Sequence, residues 1–242
     1  PAAGDNDEEE GREQSGTIGG QTDLLTEHYL VEIFGGILSN KLPEVVREAI
    51  GAKRHITQVL CQPASLKLLT GCLTQRSDRV LRNMLSVLRE LALMSTHYAS
   101  SIANGIQWDE NKSLKRLVNR SGEGVELARQ VRYCFLKFVA ALLSFNHTPL
   151  TEKVLRCRSL LSAFAPGLQK DSSEFAKEYV SLLDSHVFQF ARLSRGTKVG
   201  FFNRFLLGNF AKLLEGDDVE LIESVKKFIL KVSSSYFYCQ IP

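Results

Sequence analysis

The chain has 242 residues, 44% of them hydrophobic and 24% charged, with a formal net charge of +3. That is enough apolar material for a sizeable core, and too balanced a composition for a collagenous or wholly disordered chain. The longest uninterrupted apolar run, 138–143, is far shorter than the roughly 20 residues a membrane helix needs, so no helical membrane span is expected.

The modest net charge hides a division. Within residues 1–14, Asp5, Asp7, Glu8, Glu9, Glu10 and Glu13 face Arg12 alone, which leaves −5 there and +8 in the remainder. A basic body behind an acidic lead-in is compatible with a polyanionic partner. The five cysteines, at 61, 72, 134, 157 and 239, are odd in number and contain no CxxC pair. They read as reduced thiols of an intracellular protein, and the sequons at Asn111, Asn119 and Asn146 as chance matches. The first residue is proline and not methionine, so the chain is expected to be a piece of a longer product.

Residues 1–21, acidic and Gly-rich with almost no large apolar side chains, are expected to be a disordered tail or linker. Residues 22–242 are expected to form one helical-repeat domain. Thr22 and Asp23 supply an N-cap for a helix carrying Leu24, Leu25, His28 and Tyr29, and Pro43 opens a second helix at its first turn. Pro63 starts a third. Ser77 and Asp78 then cap the longest candidate, in which Val80, Met84, Val87, Leu88, Leu91 and Met94 form a stripe and Gly105 marks the end.

A short basic helix around 111–119 leads into the best-patterned segment, Val125–Phe145. There Val131, Phe135, Phe138, Leu142 and Phe145 recur at spacings of four, three, four and three, within about 40° of one another on a helix. Arg132 sits at the edge of that apolar arc, where an arginine needs a carboxylate or the carbonyl end of a neighbouring helix. Thr148 and Pro149 open a helix that Pro166 and Gly167 close. The next helix, from Asp171, carries Phe175, Tyr179, Leu182, Leu183, His186 and Phe190 on one side. Arg195 and Gly196 are expected to break the chain before a Phe-rich helix, and residues 215–218 to break it before the last one.

About ten helices with short connections, and no segment alternating as a strand would, make an all-α fold. An irregular α-solenoid of HEAT or armadillo type, built from antiparallel helix pairs, is the expectation, with a compact helical bundle as the alternative because no strict sequence period is visible.

No catalytic, metal or cofactor motif emerges. GxxxxGK[ST], HExxH, GxSxG and paired Cys/His patterns are all missing, and the five histidines are scattered over different segments. Asp184, Ser185 and His186 are consecutive on a helix and so point about 100° apart, which prevents a triad; His186 reads as a packed core histidine. The chain therefore reads as non-enzymatic, with no cofactor and no small-molecule substrate.

Two cationic groups are candidate RNA contacts. On the short helix Lys112, Lys115, Arg116 and Arg120 fall in an arc of about 140° opposite Leu114, Leu117 and Val118, as phosphate binding requires. A looser group comprises Arg195, Lys198 and Arg204, with Arg192 beside them. A solvated face is the plainer alternative for both. Trp108 and Tyr133 are either stacking platforms or packing residues.

Taken in order, the segments from Trp108-Asp109 and Asn111-Lys112 through Val131-Arg132, Phe135 and Phe138 resemble a known family. Gly167, Asp171, Lys198-Val199, Phe201-Phe202 and Leu206-Leu207 continue the match. The family is that of nucleolar pre-ribosomal-associated protein 1, in its N-terminal region. The likeness covers roughly residues 90–215 and holds its register throughout. It implies a very large helical-repeat scaffold of the nucleus and nucleolus that acts early in large-subunit ribosome assembly. It further implies precursor ribosomal RNA and other assembly factors, including a DEAD-box RNA helicase complex, as partners. A HEAT-type protein adaptor without nucleic-acid contact is the alternative.

Overall fold

A computed structural model describes residues 56–71, 73, 77–106, 108, 114, 117–119 and 124–236. The expected tail at 1–21 and the first expected helix lie outside these residues, and of the second only residues 56–60, which are helical, fall within them. Among the described residues there is no strand. The helices are α1 (Pro63–Gly71), α2 (Asp78–Met94), α3 (Thr96–Gly105), α4 (Val125–Leu143), α5 (Thr148–Leu155), α6 (Arg158–Phe164), α7 (Gly167–Lys170) and α8 (Ser173–Leu182). After a π-helical turn at Leu183–Val187 come α9 (Arg195–Phe201), a second π turn at Phe202–Leu206, α10 (Leu207–Leu214) and α11 (Val219–Tyr236).

Several boundaries differ from those expected. The long helix predicted from Asp78 to Gly105 is two helices, because Ser95 is extended (φ −166°, ψ 155°) and its hydroxyl accepts the Tyr98 N–H at 3.2 Å, capping α3. The helix predicted after Thr148 divides at Arg156 and Cys157 into α5 and α6. Arg195 and Gly196 do not break the chain; they begin α9, capped by the Ser194 hydroxyl on the Thr197 N–H at 3.2 Å. Phe145 lies past the end of α4 and is exposed, as the chain leaves through Asn146 at positive φ.

The helices form a layered stack. α2 packs along α4, with Arg82 Nη1 donating to Gln130 Oε1 at 3.3 Å and Ser86 Oγ 4.0 Å from Cys134 Sγ; both pairs are 48 residues apart, so the helices run parallel. α8 stands parallel to α11 in the same way, with Lys177 on Glu220 and Asp184 on Lys231 at separations of 43 and 47. Between these pairs α4 packs on α8, Arg132 meeting Asp171 at a separation of 39. In the other layer Lys153 reaches Asn104 across 49 residues and Gln169 reaches Asn209 across 40. Cross-links at 39 to 49 residues throughout are the spatial repeat of an armadillo- or HEAT-type solenoid. Consecutive helices bridge the two layers, and equivalent helices of successive units lie side by side.

The core between layers is aromatic. Phe164 centres one nucleus, with ring centroids 5.7 Å from Phe135, 6.2 Å from Phe175 and 5.9 Å from Tyr179. The buried Tyr179 hydroxyl donates to the Leu161 carbonyl at 2.6 Å, which satisfies its one polar atom. A second nucleus joins Phe188, Phe210 and Phe228, with centroids 5.1 Å and 5.6 Å from Phe228. Val131, Phe135, Phe138 and Phe202 are all buried in this core.

Candidate interaction surfaces

The basic helix is anchored where its sequence places the anchor: Leu114, Leu117 and Val118 are buried. Lys112, Lys115, Arg116 and Arg120 themselves lie outside the described residues. Trp108 is a packing residue, buried, with its indole N–H on the Ala103 carbonyl at 2.9 Å. Tyr133 is half-buried on α4 and carries the Lys137 ammonium 4.3 Å above its ring.

The second cationic group separates into different environments. Arg195 and Arg204 are exposed, and the Arg204 guanidinium lies 5.4 Å from the Phe205 ring. Arg192 is exposed but engaged, its Nη1 2.6 Å from Glu152 Oε2; this guanidinium holds the Glu152 carboxyl below its usual range. Lys198 departs from the expectation of a surface cation. Its side chain is buried and its ammonium donates to the Phe188 carbonyl at 2.7 Å, at the end of the first π turn. The α9 register dictates this, since a residue one turn after the Ser194 cap points back at the segment the chain has just left.

A cleft of about 470 Å³ lies between α6, the link 187–194 and α9 with its π turn. Leu155, Leu161, Phe188, Leu193, Phe201 and Phe205 form its walls, and Lys198 and Arg204 are the charged side chains that line it. Phe201, packed against the core, is a half-buried wall of this cleft. No sequence pattern announced the cleft, because its two walls come from segments some 40 residues apart.

His186 also sits differently from the expectation. The π turn at Leu183–Val187 adds a residue to the helical turn, so Val187 and Phe188 take the buried positions while His186 is half-buried. Partial burial lowers its pKa. It lines a shallow groove with Arg89 of α2, Lys137 of α4 and Glu178 of α8. Asp184, its neighbour but one, points instead to Lys231 at 2.5 Å.

Burial pushes the Cys61 thiol up to about 11 and raises that of Cys134, whereas an activated thiolate is held low. Among the described residues no group of His, Cys, Asp or Glu side chains could hold a metal ion, and no helix is long and apolar enough to cross a membrane.

A family model described as Npa1, ribosome 60S biogenesis N-terminal, matches residues 31–237. The chain belongs to the Npa1 family. Membership assigns it a role in 60S ribosome biogenesis. The expected resemblance, placed at 90–215, thus extends over most of the chain. No curated protein matches it in sequence. Among solved structures it is similar to a designed armadillo repeat protein, with a TM-score of 0.56 and 15% identity over 88% of this chain and 86% of that one. At that identity the likeness concerns the fold alone. It agrees with the spatial repeat found within this chain.

Proposed function

We propose that this region is a non-catalytic scaffold in early large-subunit assembly, acting in the nucleolus and holding precursor ribosomal RNA together with other assembly factors. The observation that carries the reading is the family match over residues 31–237 on a solenoid fold. Such a fold offers long surfaces and few enclosed sites. Lys112, Lys115, Arg116 and Arg120 are the proposed phosphate contacts, and the burial of Leu114, Leu117 and Val118 supports an anchored segment there. Of the second group, the exposed Arg195 is the proposed secondary contact. Phosphate contacts of this kind position RNA without reading its sequence. A DEAD-box RNA helicase complex is among the proposed partners.

A second reading, a protein adaptor without RNA contact, draws support from the apolar cleft beside α9. Filter binding to precursor ribosomal RNA fragments across a salt series separates the two. The scaffold reading expects affinity that falls steeply with salt and flattens when the four cations at 112–120 are reversed to Glu. Weak, salt-insensitive binding unchanged by the reversal would favour the adaptor.

A further inference from the structure

We infer that the cleft beside α9 is a docking site for a short segment of an assembly partner in which one or two large apolar side chains are flanked by carboxylates. The inference deepens the scaffold reading by giving one of its protein contacts a place and a chemistry.

The volume, about 470 Å³, suits a few side chains and is far too large for a packing defect. Six large apolar residues wall it, so an occupant gains chiefly by burying apolar surface. On the wall formed by α9, Gly196 and Gly200 lie one turn apart, and a Cβ on either would meet nothing within 4 Å. At those two positions the wall is bare backbone, against which another chain can lie closely.

Charge decides what accompanies the apolar side chains. Lys198 and Arg204 line the cleft and no carboxylate does. Next in the chain to lining residues, the exposed Arg156 follows Leu155 and the exposed Arg195 precedes Gly196, while Glu152 already takes both Arg192 and Arg156. A neutral apolar segment would leave this positive field uncompensated, and a basic one would be repelled. RNA fits less well. The lining is chiefly apolar and Arg204 is the exposed cation among the described lining residues, which matches a peptide's one or two carboxylates but not the evenly spaced charges of a phosphate backbone.

The test uses the full chain and a phage-displayed library of random 12-residue peptides, followed by fluorescence titration of the selected sequences. Gly200→Leu fills the cleft from its bare wall and replaces a helical glycine by a better helix former, so the variant folds at least as well. Gly196→Leu, one turn earlier, is the second variant, and thermal unfolding accompanies both. Enrichment of Phe, Leu or Trp beside Asp and Glu is expected, with affinity reduced about tenfold by either glycine variant. Arg204→Glu should also weaken binding and remove part of its salt dependence.

No enrichment, enrichment without acidic residues, or glycine variants that bind as tightly as the wild type would overturn the inference. So would a single-stranded 12-nucleotide RNA that binds the wild type and is lost in Gly200→Leu, which would make the cleft an RNA site. In any of these cases the scaffold reading stands if the protein still crosslinks to precursor ribosomal RNA, and fails separately if it does not.

Discussion

Arg132 on α4 and Asp171, just beyond α7, form a two-pronged ion pair, with Nε 2.9 Å from Oδ2 and Nη2 2.5 Å from Oδ1. The carboxylate side chain is only 2% exposed and the guanidinium 15%. Arg129 adds a looser contact to the same carboxylate at 3.8 Å. The pair joins α4 to the turn that launches α8, so it fixes the register between two units of the stack. Removing the carboxylate leaves a half-desolvated arginine without its fork partner. Asp171→Ala is predicted to lower stability by about 3 kcal/mol, and Arg132→Met by less, because methionine replaces much of the packing. Urea denaturation of the two variants checks the order.

Gly167 stands beside this pair for a steric reason. A Cβ there would lie 2.6 Å from Phe175 Cε1 and 2.8 Å from Asp171 Oδ2, inside any real contact distance. The ring is part of the Phe164 nucleus and the carboxylate is held by Arg132, so neither yields cheaply. Gly167→Ala is predicted to destabilise by about 1–3 kcal/mol, although alanine is the better helix former. A melting temperature equal to or above that of the wild type would show that the turn relaxes.

Lys198 and Arg204 are six residues apart and are predicted to respond oppositely to truncation. Lys198→Ala removes a buried donor from the Phe188 carbonyl and should cost about 1–3 kcal/mol. Arg204→Ala, at an exposed site, should remain within about 0.5 kcal/mol of the wild type. Equal stabilities would place the Lys198 ammonium in solvent.

Asp218 supplies the pH dependence. Its carboxylate accepts from the Ser173 hydroxyl and from the Leu221 N–H at 2.9 Å, with Lys177 3.3 Å away, and these partners hold its pKa down at about 2, below the ordinary aspartate value of 3.8. The folded value lies below the unfolded one, so the stabilisation is complete above about pH 4 and is lost as pH falls toward 2. Hydrogen exchange at the first turn of α11 should accelerate across that window in the wild type. In Asp218→Asn the acceleration should be smaller.

The helices with a strong apolar period were legible in the sequence, α4 and the stripe of α2 above all, because a single buried face sets their spacing. Arg132 was legible as well, since an arginine at the edge of an apolar arc needs an acceptor, though nothing local pointed to Asp171. The solenoid was expected from helix number and short connections, but its repeat was invisible as a sequence period. It appears only in cross-links such as Ser86 with Cys134 and Gln169 with Asn209, separated by 48 and 40 residues. Unequal separations defeat a search for a fixed period. The π turns at 183–187 and 202–206 shift the register again, which carried His186 off the core face and brought Phe188 onto it. Lys198 looked like a surface cation because charge is read before burial. Ser95 could have been recognised as a cap in Ser95-Thr96, but the continuous stripe on either side concealed it.

The scaffold role requires that this region hold RNA. Ultraviolet crosslinking of the tagged full-length protein in cells, with sequencing of the attached RNA, addresses that directly. Crosslinks to the precursor of large-subunit ribosomal RNA are expected, reduced about tenfold or more when Lys112, Lys115, Arg116 and Arg120 are reversed to Glu. An absence of crosslinks within this region, or a signal the reversal leaves undiminished, would contradict it.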